Sequence, residues 1–187
     1  MKPNPSSGIA ALPARERILA TAHRLFYREG LRATGIDRLI AESGVSKVTF
    51  YRHFPSKHDL IQAYLEQRHQ QWMAGFRAAL ARHAADGAMA LAQALREWFA
   101  SDDFRGCAFI NGVGEMPAEA ELAEAARRHK SEMRDAIAAL LPARPAPAGL
   151  ADMLALAADG AIVRAQIDGR PEAALAALEG LIMKLAG

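Results

Sequence analysis

Cysteine is almost absent from this chain, and its scarcity excludes several kinds of site. The 187 residues contain a single cysteine, Cys107, so neither an intramolecular disulfide nor a multi-cysteine zinc site can be built. The G-x-S-x-G, P-loop and GxGxxG patterns of common hydrolases and nucleotide-binding proteins are also missing. The six histidines show no metal-ligand spacing and are His23, His53, His58, His69, His83 and His129. We therefore predict no bound metal, no cofactor and no enzymatic activity.

Long apolar runs are missing as well. No segment approaches the roughly 18–20 consecutive apolar residues of a membrane span. The first residues, MKPNPSSGIAALPA, lack the apolar run of a signal peptide. Alternating strand patterns and internal repeats are not found either. These absences predict a soluble, cytoplasmic protein with an all-α fold.

Charge is distributed unevenly along the chain. The net charge is +2, but residues 1–60 carry 10 Lys and Arg against 5 Asp and Glu, whereas residues 61–187 carry 13 against 16. A basic N-terminal part on a mildly acidic remainder fits a protein that touches a polyanion with one end only. Chance variation between the two parts accounts for the same numbers, so charge alone does not decide between these interpretations.

The patterns that are present are helical. Apolar residues recur at helical spacing and predict about nine helices, with Pro117 in the first turn of the seventh. Residues 1–13 are predicted to be a disordered arm, residues 14–56 a three-helix domain, and residues 57–187 a second helical domain. The sequence PARPAPAG, Pro142 to Gly149, predicts a stiff linker before the last two helices.

Two short helices joined by a tight turn are predicted within the segment TGIDRLIAESGVSKVTFYRHFPSK. Thr34, with Asp37 three residues later, predicts a capped start for the first of them, and Gly44 ends it. The second runs from Ser46 to Phe54, where a proline follows. Such a pair is a helix-turn-helix, whose second helix is short enough to enter the DNA major groove.

The second of these helices separates its side chains by chemistry. Phe50 and Phe54 lie four residues apart and are expected to face inward. Hydroxyl, basic and phenolic side chains remain outside, where they can reach base edges and phosphate oxygens. An ordinary helical hairpin with solvated polar residues is the alternative. The turn, the aromatic pair and the outward chemistry agree in order and spacing, which favours DNA binding.

The stretch RERILATAHRLFYREGLRATGIDRLIAESGVSKVTFYRHFPSKHDLI resembles the DNA-binding domain of the TetR/AcrR family of bacterial transcriptional regulators. The resemblance covers about a quarter of the chain. It implies DNA contacts at Lys47, Thr49, Tyr51, His53 and Lys57, and a cap near the DNA backbone at Thr34. The full set of predicted DNA-binding residues is Thr34, Ser46, Lys47, Val48, Thr49, Tyr51, His53 and Lys57. Val48 departs from the small residue usual at its position, so it either alters the base contacts or selects a thymine methyl. The segment RGCAFINGVGE resembles one branch of the family, without indicating a ligand.

The remaining helices are similar in layout to the family's ligand-binding and dimerisation domain, which implies an effector pocket. Cys107, Asn111 and Glu115 are spaced four residues apart and share one face of the predicted sixth helix. The candidate pocket residues are Trp72, Phe76, Trp98, Phe99, Phe104, Cys107, Asn111 and Glu115. Alternatively, Asn111 and Glu115 satisfy neighbouring helix ends. Cys107 is either a reactive thiol that senses an electrophilic or oxidising effector, or a small packed core residue.

The eighth predicted helix is apolar on more than one side, so part of it needs a cover. We predict a twofold dimer through the last two helices, with an interface formed by Leu156, Val163, Ile167, Leu175, Leu178, Leu181, Ile182 and Leu185. The predicted function is a homodimeric repressor that a small molecule releases from a palindromic DNA operator. The alternatives are an effector-independent architectural or cell-cycle DNA-binding protein, and an enzyme. The sequence identifies neither operator nor effector, and it does not separate repressor from activator.

Overall fold

The computed structural model describes residues 12–141 and 147–186, which are predominantly helical. In these ranges the chain forms nine α-helices and one 3-10 segment, Ala84–Met89, and contains no strand. The helices are α1 (Ala14–Glu29), α2 (Ile36–Ser43), α3 (Lys47–His53), α4 (Lys57–Arg82), α5 (Ala90–Phe99), α6 (Ala108–Glu115), α7 (Ala120–Ala138), α8 (Leu150–Asp168) and α9 (Glu172–Ala186). The all-α prediction is confirmed. Of the described helices, none is long and apolar enough to cross a membrane.

Two segments singled out in the sequence fall mostly outside the described residues. They are the predicted arm at residues 1–13 and the predicted linker Pro142 to Gly149. Among the described helices, α7 begins at Ala120, because Pro117 lies in a turn and does not open the helix as predicted. Helix α6 forms although Gly112 and Gly114 lie within it.

Glycines end the first two helices. Gly30 follows α1 with φ +98°, and its N–H donates to the carbonyl of Phe26. Gly44 follows α2 with φ +65°, in the left-handed region that side chains with a Cβ rarely adopt. Each glycine therefore lets the chain turn away from the helix that it follows.

The start of α2 differs from the prediction. Gly35 is the residue directly before the helix, its backbone is extended, and no side chain caps the first turn. Thr34 is completely buried, and its hydroxyl donates to the carbonyl of Gly30 at 2.8 Å. An N-capping hydroxyl must belong to the residue directly before the helix. Thr34 is one position too early, and it fastens the connection between α1 and α2 instead.

The described residues divide into two compact units. The head unit contains the chain up to Arg68 together with Ala108–Ala123, and the body unit contains His69–Cys107 and the chain from Glu124 onward. The chain therefore passes between the units within α4, directly before α6, and within α7. The domain boundary predicted at residue 56 remains a prediction. The compact head extends beyond it and includes α6.

The head unit has an aromatic and aliphatic core. From α1, Ile18, Ala22 and Phe26 are at most 3% exposed, and Phe50 of α3 is fully buried. Tyr64 of α4 contacts Phe26 edge-on, with ring centroids 5.4 Å apart. Burying each large apolar side chain contributes about 1.5–3 kcal/mol, so these contacts hold the short α3 in place.

The body unit is built around a packed helix pair. Helices α8 and α9 lie against each other. Their buried residues are Leu154, Ala158, Ile162 and Ala165 on α8, and Ala174, Leu175, Leu178 and Ile182 on α9. Small residues on α8 allow close approach of the partner helix, so the leucines of α9 are covered within the single chain.

Candidate nucleic-acid interface

The residues next to α3 set both of its ends. Ser46 precedes the helix with an extended backbone, and its hydroxyl accepts the N–H of Thr49 at 3.2 Å. At the other end, the backbone of Phe54 leaves the helical conformation and Pro55 follows. The start at Ser46 and the end at Phe54 were both predicted from the sequence, and both are confirmed.

The side chains of α3 divide into a buried and an exposed face. Phe50 is fully buried and Phe54 is 3% exposed, as predicted. Val48 is 71% exposed and Tyr51 is 38% exposed. An apolar side chain that exposed has no packing role within the chain. Val48 is therefore available to an apolar feature of a partner, such as the methyl group of thymine in the major groove.

The exposed face of α3 also contains two cations. Lys47 is exposed, and so is Arg52, which the sequence argument did not include among the DNA-contacting residues. Arg52 lies four residues after Val48, so helical spacing places the two side chains on the same face. This spacing was available in the sequence and identifies Arg52 as a further candidate. Thr49 and His53 are half-buried at the sides of the helix.

Hydrogen bonding restricts what Thr49 can offer to DNA. Its hydroxyl oxygen lies 2.9 Å from that of Ser46, and its backbone N–H donates to the same Ser46 oxygen. A base edge that hydrogen bonds to Thr49 must compete with this internal bond. The exposed Ser46 is thus a helix cap that also orients Thr49.

Side-chain contacts occupy the beginning of α4. The backbone N–H of Ser56 donates to the Asp59 carboxylate at 2.9 Å, and the N–H of Asp59 donates to the Ser56 hydroxyl at 3.1 Å. This reciprocal pair satisfies two backbone N–H groups at the helix start, so these two are not free to bind a phosphate. Lys57 is half-buried, and burial lowers its pKa, while the nearby Glu115 carboxylate opposes that shift.

Ion pairs connect α1 to α2. The guanidinium of Arg38 on α2 donates to both carboxylate oxygens of Glu29 on α1 and to Glu42, which also pairs with Arg24 of α1. Hydrogen bonds from Arg24 and Arg38 hold the pKa of the Glu42 carboxyl below its usual value. The two carboxylates raise the pKa of Arg38. These pairs lie at the surface and help to fix the angle between the helices.

The body unit contains the aromatic residues predicted for an effector site. Trp72 stacks on Phe76 with a centroid separation of 4.7 Å, and it contacts Trp98 edge-on at 5.2 Å. Phe104 lies 5.1 Å from Trp98 and 4.9 Å from Phe99. The structure thus brings together the five aromatic members of the predicted set, which we call the aromatic cluster. Trp72, Trp98 and Phe104 keep part of their surface exposed.

Two buried histidines border this cluster, and the sequence argument missed them. The Nδ1 atoms of His69 and His129 are 3.1 Å apart, and the two residues are 6% and 2% exposed. The Nε2 of His69 lies 3.1 Å from the Glu132 carboxylate, and the His129 ring contacts Trp72 at 4.9 Å. Within the described residues no group of three metal-ligating side chains occurs. The two histidines are 60 positions apart, so no spacing pattern in the sequence predicts that they pair.

The Glu132 carboxylate determines how this pair shares its protons. An ionised carboxylate only accepts, so Nε2 of His69 is the donor in that contact. When His69 is neutral, its Nδ1 therefore accepts, and the proton between the rings belongs to Nδ1 of His129. Glu132 also accepts from Arg77 at 3.1 Å. The two histidines are thus a hydrogen-bonded polar pair beside the aromatic cluster. The contact with Glu132 sets the tautomer of neutral His69 and, through it, the position of the proton on His129.

The predicted polar stripe of α6 is divided between the two units. Cys107 belongs to the body unit and is 4% exposed, whereas Asn111 and Glu115 belong to the head unit. Burial of the thiol favours the packing interpretation of Cys107, since reactivity requires access. The Glu115 carboxylate accepts the backbone N–H of Arg32 at 2.9 Å. It therefore provides a hydrogen-bond partner for a backbone group in the connection between α1 and α2. This matches the alternative in which Glu115 serves a neighbouring helix end.

Comparison with known proteins identifies the family. A model described as "Bacterial regulatory proteins, tetR family" matches residues 18–64, which contain α1 to α3 and the first part of α4. A TetR-family transcriptional regulator from Streptomyces coelicolor, known from a crystal structure, is 33% identical to this chain in sequence. The alignment covers 100% of this chain and 98% of the S. coelicolor chain, and the two structures superpose with a TM-score of 0.82. The chain belongs to the TetR family of transcriptional regulators.

Curated relatives match over shorter stretches. An uncharacterized HTH-type transcriptional regulator of Bacillus subtilis, YerO, is 44% identical over 52 residues, or 28% of this chain and 18% of its own length. The HTH-type transcriptional activator FasR of Mycolicibacterium smegmatis is 35% identical over 91 residues, or 47% of this chain and 41% of its own. The chain thus spans less than half the length of these two relatives.

The last two helices of this TetR-family chain expose only part of the predicted dimer surface. Leu156, Ile167 and Leu181 are 74%, 70% and 43% exposed, and Val163 and Leu185 are half-buried. Leu175, Leu178 and Ile182 are at most 3% exposed within the single chain. These three residues belong to the body core, so they do not present a surface to a second copy. Met153 and Met183, at 46% and 62%, are exposed apolar residues that the prediction did not include.

Proposed function

We propose that this TetR-family transcriptional regulator binds a palindromic operator as a homodimer and that a small-molecule effector releases it. The observation that carries the proposal is the division of α3. Phe50 anchors the helix in the head core, while Lys47, Val48 and Tyr51 stay exposed on a helix that Ser46 caps at its N-terminal end. A rigid, short helix with cationic, apolar and phenolic groups on its outer face suits the major groove.

The dimer is supported by the exposed apolar residues of α8 and α9. Leu156 and Ile167 lie eleven positions apart, three helical turns, on the same side of α8. Their exposure leaves apolar surface in water that a second copy would cover. A twofold axis then gives two α3 helices, which fits two half-sites about 34–36 Å apart on one face of DNA.

The effector proposal rests on the aromatic cluster and the histidine pair. Partly exposed rings beside a buried polar group have the composition of a small-molecule site. Because Cys107 is buried, we propose non-covalent recognition, with no thiol modification. We propose repression as the direction of regulation. One similar protein is named an activator, so a promoter reporter with the operator in place must establish the sign.

Selection of bound duplexes from random DNA tests the DNA-binding part. We expect enrichment of a palindrome whose binding weakens steeply with salt. Lys57→Ala should weaken all duplexes alike, whereas Thr49→Ala should relax discrimination at one position in each half-site. Arg170→Ala removes an exposed cation from the body unit and serves as the charge-matched control. Enrichment of no sequence over the random pool would contradict the proposal.

Intrinsic fluorescence tests the effector part directly. The chain contains two tryptophans, Trp72 and Trp98, and both lie in the aromatic cluster. A compound that binds there must change the emission, without any label. A compound from an aromatic library should both shift the emission and release the selected duplex. Release by compounds that leave the emission unchanged would place the effector site elsewhere.

A further inference from the structure

The RGCAFINGVGE segment contributes a helix to the head unit. Its helical part, α6, lies within Ala108–Ala123, the second piece of that unit. Gly112 is buried in this helix, and a Cβ at its position would lie 3.2 Å from Leu31 and 3.4 Å from Leu122. Leu31, in the connection between α1 and α2, is 2% exposed. The missing side chain at Gly112 therefore lets α6 pack closely against this connection.

Glu115, the last residue of α6, makes the polar contact of this packing. Its Oε2 accepts the backbone N–H of Arg32 at 2.9 Å, and its carbonyl accepts from the Arg32 guanidinium at 3.5 Å. A Cβ at Gly30 would lie only 2.8 Å from the same carboxylate oxygen. Gly30 is thus needed both for its positive φ and for space, and Glu115 fits a place that this glycine leaves open.

The same connection holds the first residue of α4. The ammonium of Lys57 donates to the carbonyl of Arg32 at 3.4 Å. Arg32 therefore uses its N–H toward Glu115 and its carbonyl toward Lys57. Burial lowers the pKa of Lys57, and the negative charge of Glu115 counteracts that effect. One residue of the connection thus links the end of α6 to a cation that is expected to contact DNA.

We propose that Glu115 is a positioning residue for DNA binding, which holds Lys57 in place through Arg32. The inference rests on the proposed function, because it requires Lys57 to contact a phosphate. Glu115 itself need not touch DNA. The segment RGCAFINGVGE then acts as the support for the phosphate-contacting side of the head. A change in the position of α6 would alter the affinity for DNA without any change in α3.

A stabilising role of Glu115 alone is the competing explanation, and a double-mutant cycle separates the two. If Glu115 acts through Lys57, its removal matters only while Lys57 is present. If it only stabilises the head, its removal has the same effect in both backgrounds. The salt dependence gives a second readout, because loss of one phosphate contact reduces the slope of log affinity against log salt by about 0.9.

The test uses the full chain and the duplex selected by the unmodified protein. The variants are Glu115→Ala, Glu115→Gln, Lys57→Ala and the Glu115→Ala/Lys57→Ala double variant. Gly114→Ala is the matched control, since a Cβ there has no neighbour within 4 Å and the position is exposed on the same helix. Thermal unfolding of every variant is followed by circular dichroism.

We expect Glu115→Ala to weaken binding about tenfold and to lower the salt slope by about one ion. Glu115→Gln keeps an acceptor for the Arg32 N–H and should stay within about threefold of the unmodified protein. In the Lys57→Ala background, Glu115→Ala should change affinity less than about twofold. Additive losses, an unchanged salt slope or tighter binding by Glu115→Ala would each overturn the inference. If the unmodified protein selects no duplex, the proposed function itself fails, and this inference with it.

Discussion

The head unit and the body unit place their chemically important side chains in opposite ways. In the head, Lys47, Val48 and Tyr51 project outward from α3, while the residues that hold the helix are apolar and buried. In the body, His69 and His129 are themselves buried and bonded to one another. On α3, the residues proposed to contact DNA are therefore distinct from those that hold the helix in place, whereas the histidines proposed to border the effector site are themselves part of the body core. Substitutions ordered by expected effect can test that distinction.

The largest effect should come from charge placed in the body core. Leu178 is 1% exposed and Leu181 is 43% exposed, although they are only three residues apart on α9. Leu178→Asp should destabilise the chain by at least about 4 kcal/mol, since it buries an unpaired carboxylate. Leu181→Asp should stay folded and shift the proposed dimer to monomer.

Circular dichroism and sedimentation velocity distinguish these two outcomes. A Leu178→Asp protein with an unchanged unfolding midpoint would show that α9 turns a different face to the core. A Leu181→Asp protein that remains dimeric would remove this position from the interface.

A smaller loss is expected when the histidine pair is broken. His129→Ala removes the partner of the buried His69 Nδ1 and leaves a void against Trp72, at a cost of about 2–4 kcal/mol. Urea unfolding followed by tryptophan emission measures the cost and reports on the neighbouring rings. His83→Ala is the control, because His83 pairs with Glu97 at the surface and its loss should cost less than about 1 kcal/mol. Equal costs for both variants would refute a special role for burial in the pair.

The head offers a test in which stability changes modestly. Ser46→Ala removes the side chain that accepts the Thr49 N–H and should cost about 1 kcal/mol. The exposed mid-helix residue Ser131 provides the control, since Ser131→Ala should be neutral or slightly stabilising. Chemical denaturation measures the free energy of unfolding of both variants. If the two substitutions cost the same, the hydroxyl of Ser46 does not function as a cap.

The smallest effect concerns the ion pairs between α1 and α2. The pKa of Glu42 is lowered in the folded chain by Arg24 and Arg38, so the folded state binds a proton less readily than the unfolded state. Its stabilising contribution is present above the usual carboxyl pKa of 4.5 and is lost as the pH falls through the lower folded value. Glu42→Gln should therefore reduce the acid dependence of the melting temperature. An identical pH profile for the two proteins would exclude this contribution.

The contrast between the units also explains which parts of the structure could be predicted. Ser46, Gly44 and Phe50 act within a few residues of one another, so local rules located α3 and its buried face. The prediction that Thr34 caps α2 was wrong because the helix begins one residue later than a Thr34 cap requires. Gly35 therefore occupies the capping position. Leu178 was expected at the dimer interface and the His129 pair was missed, because the surroundings of both residues come from helices distant in sequence. The same holds for Glu115, whose partner Arg32 lies 83 residues earlier.

The two-part make-up of the head unit has a consequence for how the protein is synthesised. Residues 69–107 separate the two segments of this unit. Helices α1 to α3 therefore leave the ribosome well before α6, the helix that packs on Leu31. At a synthesis rate of about 5–20 residues per second, the nascent head lacks the α6 contacts of Leu31 for several seconds. During this interval the incomplete head is exposed to proteases and to wrong contacts. A fragment that ends at Arg68 reproduces this intermediate, and it would lack the contacts of Gly112, Glu115 and Leu122 permanently.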